Sequence, residues 1–148
     1  MTGRKFLYLD VDGVLLGKDD PRDMRLVLAH HVPEFLSFCL ERFDCYWLTT
    51  HCRYGDVDRL LGHIDNLIPP GVNSVATLDM LRQIIPTSWQ TLKTEVIDFK
   101  SDFYWVDDCP LQYEIELLKS NGVIDRWIHT DTRVDPDGLL KVMELLKG

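Results

Sequence analysis

No apolar run in this chain approaches the roughly 20 residues needed to cross a bilayer. Met1-Thr2-Gly3-Arg4-Lys5 leads straight into the first apolar segment with no signal-peptide core before it. Together these absences predict a protein with no membrane partner. The four cysteines, Cys39, Cys45, Cys52 and Cys109, have neither zinc-finger spacing nor the density of a disulfide scaffold, which predicts reduced thiols and a cytoplasmic setting. Positive charge is scarce: 16 basic residues face 24 acidic ones, for a formal net charge of -8 and a pI near 5.0. That balance disfavours broad attraction to nucleic acid or anionic lipid and leaves room only for a local basic patch. Internal repeats and low-complexity segments are missing too. With 148 residues, 45% of them hydrophobic and 27% charged, the chain fits one globular domain over residues 1–148 and has no length for a second.

What is present is an alternation of short apolar segments with helical patterns, the mark of an α/β fold around a mostly parallel, five-stranded sheet. Strands are expected at 6–9, 45–48, 103–106 and 126–129, with a weaker fifth at 73–76 after the Pro69-Pro70-Gly71 breaker. Helices are expected at 33–42, with proline early and Glu34 in the first turn, at 56–61, at 88–98 behind a Ser88 cap, and at 111–119 before the Asn121-Gly122 stop. A last helix follows Asp137. The polar, turn-rich stretch 16–24 reads as a surface loop or flap.

Asp10-Val11-Asp12-Gly13-Val14-Leu15 follows Phe6-Leu7-Tyr8-Leu9 directly. Two carboxylates therefore sit where a buried strand breaks into a turn, the place where an open α/β sheet builds its active site. A carboxylate at such a position can be a nucleophile while its neighbour handles protons and a divalent cation offsets both charges. Three further pieces fall at successive strand ends. Thr49-Thr50 closes the second strand and offers hydroxyl donors to phosphate oxygens. Lys93, near an expected helix start, is a compact cation, with Lys100 as the alternative. Asp107-Asp108 ends the strand 103–106 and offers oxygen ligands suited to Mg²⁺.

This ordered set resembles the signature of haloacid dehalogenase (HAD) superfamily phosphohydrolases, and it spans most of the chain. The resemblance implies a single Rossmann-like three-layer sandwich and Mg²⁺ as cofactor. It implies that Asp10 forms an aspartyl-phosphate and that Asp12 is the general acid and then the base. Thr49 takes the phosphate-binding position, Thr50 is a neighbour able to touch substrate, and Lys93 offsets charge on Asp10 and the phosphoryl group. Mg²⁺ is implied beside Asp10, the backbone carbonyl of Asp12, and Asp107 or Asp108. The activity implied is phosphoric monoester hydrolysis. A phosphotransferase and a binding or regulatory domain without turnover are the alternatives.

The gaps between motifs are too short for the inserted cap that many members of that family carry. The site is therefore expected to be open, able to take a phosphorylated small molecule, protein or nucleic-acid end. Arg53 is a candidate substrate contact within Thr49-Thr50-His51-Cys52-Arg53-Tyr54. His51, Cys52 and Cys109 lack paired ligand spacing for zinc and read as rim residues. His30, His31 and His63 read as surface or loop residues, and Trp47 and Trp105 as core.

Overall fold

The computed structural model describes residues 3–148; Met1 and Thr2 lie outside the described residues. The chain is a mixed α/β protein with a four-stranded parallel sheet. Its strands are β1 (Phe6–Leu9), β4 (Asp44–Trp47), β5 (Phe103–Asp107) and β6 (Trp127–His129), in spatial order β4-β1-β5-β6. Two short strands, β2 (Leu16–Gly17) and β3 (Val27–Leu28), form a separate antiparallel hairpin. The helices are α1 (Val32–Arg42), α2 (Val57–Asp65), α3 (Ser74–Leu81), α4 (Gln112–Ser120) and α5 (Gly138–Lys147). None of them is long and apolar enough to cross a membrane.

Strand β1 is central because it pairs on both edges, Leu9 lying opposite Trp47 on one side and Val106 on the other. A strand buried on both faces must be apolar throughout. Its alternating side chains accordingly divide between two cores. Leu7 and Leu9 join Cys45, Trp47 and Val106 in the core that also takes Phe35, Leu36 and Val142 from α1 and α5. Tyr8 joins Leu48, Phe103, Trp105 and Leu118 in the second core, toward α4. Trp47 in the first core and Trp105 in the second are fully buried, as expected of core residues.

Two expectations fail. Residues 73–76 open α3 rather than forming a strand, because the Asn73 side chain accepts a hydrogen bond from the Ala76 amide at 3.0 Å and caps a helix. The sheet therefore has four strands, not five, and on its β4 edge it is met by Ile85. That residue exchanges two backbone bonds with β4, Trp47 N to Ile85 O at 2.8 Å and Ile85 N to Cys45 O at 2.9 Å. The helix expected over 88–98 shrinks to one 3₁₀ turn, Lys93–Val96. Its preceding amides, Gln90, Thr91 and Leu92, donate to the Glu95 carboxylate. The remaining helices fall within a few residues of their expected positions, though the Asp137 side chain pairs with His31 (3.0 Å) instead of capping α5.

Candidate active site

Every strand of the sheet is parallel, so every strand delivers its following loop to one edge. Asp10 follows β1 and is 6% exposed; its backbone is tied to β5 by Asp10 N donating to Val106 O at 3.1 Å. Its Oδ1 accepts from the Val11 amide at 2.8 Å. Its other oxygen, Oδ2, lies 3.3 Å from Lys93 Nζ, which also donates to Asp107 Oδ2 at 2.7 Å. Lys93 is thus the lysine at the carboxylates. Lys100 sits in the turn just before β5, at the start of a strand whose far end carries Asp107.

Lys93 is held there by two acidic residues that the motif does not contain. Glu95 gathers the amides before the turn, and the buried Glu114 of α4 accepts from the Thr94 amide at 2.8 Å. Burial works to lower the Lys93 pKa, but Asp10 and Asp107 beside it outweigh burial and raise it. Asp10 is affected in the opposite sense to an ordinary paired carboxylate. Burial, reinforced by the charge of Asp107, pushes its pKa up to about 7 despite Lys93. One lysine does not neutralise two buried carboxylates, and the pocket remains short of positive charge.

A third carboxylate stands at the same point. One oxygen each from Asp10, Asp107 and Asp108 lie within 4.8 Å of one another. Asp107 also accepts from the Cys109 amide at 2.9 Å, and Asp108 binds Arg133 at 2.6 Å. Burial and Asp107 raise the pKa of Asp108 against the pull of Arg133. Gly13 allows this approach, having φ of 78° and a backbone so close that an added Cβ would lie 2.6 Å from Asp108 Oδ2.

Asp12 faces elsewhere. Its side chain is 43% exposed, and Oδ2 meets His51 Nε2 at 2.9 Å, a bond that lowers the Asp12 pKa and raises that of His51. Thr49 is buried at the base of the next loop, its hydroxyl oxygen accepting from the His51 amide at 3.2 Å. The hydroxyl hydrogen has no protein acceptor among the described residues, so it remains available as a donor. Thr50 is exposed and begins the 3₁₀ turn Thr50–Cys52. Arg53 stacks on Trp89 at 4.5 Å and, with Thr50 and Lys93, lines a cleft of about 310 Å³.

The structure therefore gathers Asp10, Asp107 and Asp108 with Lys93 on the first two, turns the Asp12 side chain away toward His51, and places Thr49, Thr50 and Arg53 on the adjoining loop. Sequence reasoning missed three participants. His51 was a rim residue on spacing alone, although its position two residues beyond Thr49 was a usable signal. Arg133 and Thr132 come from the loop after β6. Thr132 N donates to Gly13 O at 2.8 Å, and its hydroxyl reaches Val14 O and Leu16 O, clamping the turn that carries Asp12. No protein-family model matches the chain, no curated protein matches it, and no solved structure matches it.

Proposed function

We propose that this protein is a Mg²⁺-dependent phosphohydrolase of the HAD type, built on that family's Rossmann-like sandwich and acting through an aspartyl-phosphate on Asp10. The observation that carries the reading is the contact of Lys93 with both Asp10 and Asp107 at the C-terminal edge of the sheet, at 3.3 and 2.7 Å. A carboxylate attacks an anionic phosphoryl group only when cations and donors offset their repulsion. The residues present suit Mg²⁺: three convergent carboxylates supply hard oxygen donors, and the raised Asp10 pKa registers the missing charge. Mg²⁺ bound by Asp10, Asp107 or Asp108, with the Asp12 carbonyl, supplies positive charge that screens the nucleophile from the phosphoryl oxygens.

The protein's own residues divide the remaining work. An Asp10 oxygen forms a bond to phosphorus while the bond from phosphorus to the leaving oxygen breaks. Asp12, as a carboxylic acid, gives its proton to that leaving oxygen. In the second step the Asp12 carboxylate takes a proton from water, the water oxygen bonds to phosphorus, and the bond to Asp10 breaks to release phosphate. Lys93 holds charge beside Asp10 throughout, and the Thr49 hydroxyl donates to a phosphoryl oxygen. Asp12, unlike Asp10, is open to solvent, and its lowered pKa suits the base of the second step; as the acid of the first it draws on the proton of its bond with His51, whose own pKa is raised.

The cleft beside Lys93 gives Arg53 and Thr50 a place against the organic part of a phosphorylated substrate. The site's openness suits a phosphate carried on a small molecule, a protein or a nucleic-acid end. Four free thiols fit a cytoplasmic setting. Phosphate release from p-nitrophenyl phosphate and a panel of phosphoesters, with and without Mg²⁺, tests the proposal. Wild type is expected to turn over only with Mg²⁺ and Asp10→Asn not at all; equal rates in the two proteins would refute it.

A further inference from the structure

We infer that Asp12, His51 and His63 form a second cation site, one for a transition-metal ion of the Zn²⁺ class, and that filling it switches the phosphatase off. The inhibitory half rests on the reading of Asp12 as proton carrier; the binding half does not.

Three separate segments supply the donors: the turn after β1, the 3₁₀ turn after β4, and α2. One ligand atom from each residue lies within 4.8 Å of the other two. His51 Nε2 is already 2.9 Å from Asp12 Oδ2. The His63 ring lies almost parallel to that of His51, centroids 4.7 Å apart and planes inclined by 23°. Among the described residues no hydrogen bond or ion pair engages His63. Asp12 Oδ1 is buried and has no hydrogen-bond partner there either. A buried carboxylate oxygen without a donor is costly, and a cation is one way to satisfy it.

The donor set selects the ion. Two imidazoles and one carboxylate suit Zn²⁺, Co²⁺ or Ni²⁺, whereas Mg²⁺ prefers oxygen and keeps its waters. A cavity of about 430 Å³, lined by Thr50, His51, Arg59, Leu60 and His63, opens beside the two histidines. It leaves room for a fourth, non-protein ligand, and Arg59 in its wall favours an anionic one. The side chains of Asp10, Asp107 and Asp108 are not among these donors; Asp12 would serve the Mg²⁺ through its backbone carbonyl and the second ion through its carboxylate, so the two ions do not compete for one donor atom. The consequence is direct: an Asp12 oxygen bound to Zn²⁺ neither gives nor takes the proton that each half-reaction needs.

Titrating the protein with Co²⁺ and recording its visible absorption tests binding without activity. Wild type and Asp10→Asn are expected to develop the intense bands of a low-coordinate N/O site. His63→Ala is expected to lose affinity by about tenfold or more, since removing even an outer partner of a metal ligand costs that much. No bands in wild type, or equal affinity in His63→Ala, would overturn the site. Zn²⁺ inhibition of Mg²⁺-dependent phosphate release tests the second half. His63→Ala is expected to keep its uninhibited rate and lose sensitivity to Zn²⁺; undiminished inhibition in that variant refutes the switch. Absence of phosphatase activity in wild type refutes the parent reading and the switch together, while the Co²⁺ spectrum still decides the ion site.

Discussion

The two carboxylates of the Asp10-Val11-Asp12 turn live in different physical worlds. Asp10 is buried against β5, pressed by Asp107 and only partly relieved by Lys93, and its pKa rises to about 7. Asp12, two residues on, is open to solvent, hydrogen-bonded to His51, and its pKa falls. Two identical side chains are thereby driven apart by environment, and without a metal the shifts run against the proposed roles: a nucleophilic Asp10 needs a cation to hold it ionised, and an acidic Asp12 must draw on the proton of its bond with His51. The inner half of the site is set by the sheet. The rim half is set by loops, through His51, Arg133 and Thr132.

The largest effects should follow from breaking the inner half. Lys93→Met leaves Asp10 and Asp107 without their shared cation while adding apolar bulk of similar length. Removing one partner of a buried ion pair costs about 3–5 kcal/mol, so urea unfolding in EDTA at pH 8 should lose stability on that order. Phosphate release should fall about 10²-fold or more, as on loss of a charge-stabilising donor. An unchanged urea midpoint would mean that the two carboxylates are not both charged in the folded protein.

Gly13→Ala strikes the seam between the halves. The substitution imposes a left-handed φ on a residue with a Cβ, worth about 1–3 kcal/mol. It also drives that Cβ against Asp108. Stability should fall by that amount and Mg²⁺ affinity should weaken, because Asp108 must move. Calorimetric Mg²⁺ titration of a variant that still unfolds cooperatively separates the two effects; wild-type affinity would remove Asp108 from the ion's ligands.

Acidity sharpens the contrast without mutation. Between the ordinary aspartate pKa and about 7, folded Asp10 holds a proton that the unfolded chain has released. The folded state then binds more protons, so Asp10's contribution to stability is full below the ordinary value and is lost as pH rises toward 7. Asp12 works the other way: its lowered pKa adds stability above the unfolded value, and this is lost as pH falls through the folded one. Melting curves in EDTA from pH 4 to 8, on wild type and Asp10→Asn, isolate the first effect. Wild type should lose stability relative to the variant as pH rises, and Mg²⁺ should restore more of it at pH 8 than at pH 5. Parallel pH profiles would contradict a raised Asp10 pKa.

The same division decides what could be read from the sequence. Strand β1 and the following Asp10 were legible because four apolar residues ending in Asp-x-Asp-Gly combine periodicity with a turn, both local signals. Asp107 and Asp108 were legible for the same reason. The strand expected at 73–76 fails because a single Asn73 cap outweighs one β-branched residue, Val75, over so short a window. Lys93 rather than Lys100 stands at the carboxylates, yet what anchors it is Glu114, which holds the Thr94 amide from 20 residues further along and is invisible to any window. His51 and His63 are 12 residues apart and meet only because α2 folds back over the loop after β4. Arg133 meets Asp108 across a separation of 25 residues.

Arg133 provides the smallest and most discriminating test. It binds Asp131 and Asp108, but its side chain is 39% exposed, so solvent screens both pairs. Arg133→Gln should therefore cost less than about 1 kcal/mol, the range of exposed ion pairs. That is a fraction of the cost of Lys93→Met, although both substitutions remove one cation that touches two carboxylates. The functional effect should also differ in kind. Without Arg133, Asp108 keeps its place against Gly13 but loses a competing cation, so Mg²⁺ affinity should rise or stay level while stability barely moves. A stability loss as large as that of Lys93→Met would show that the rim is organised like the buried half, and the distinction between the two carboxylates of the turn would then have to be sought in Asp12 and His51 alone.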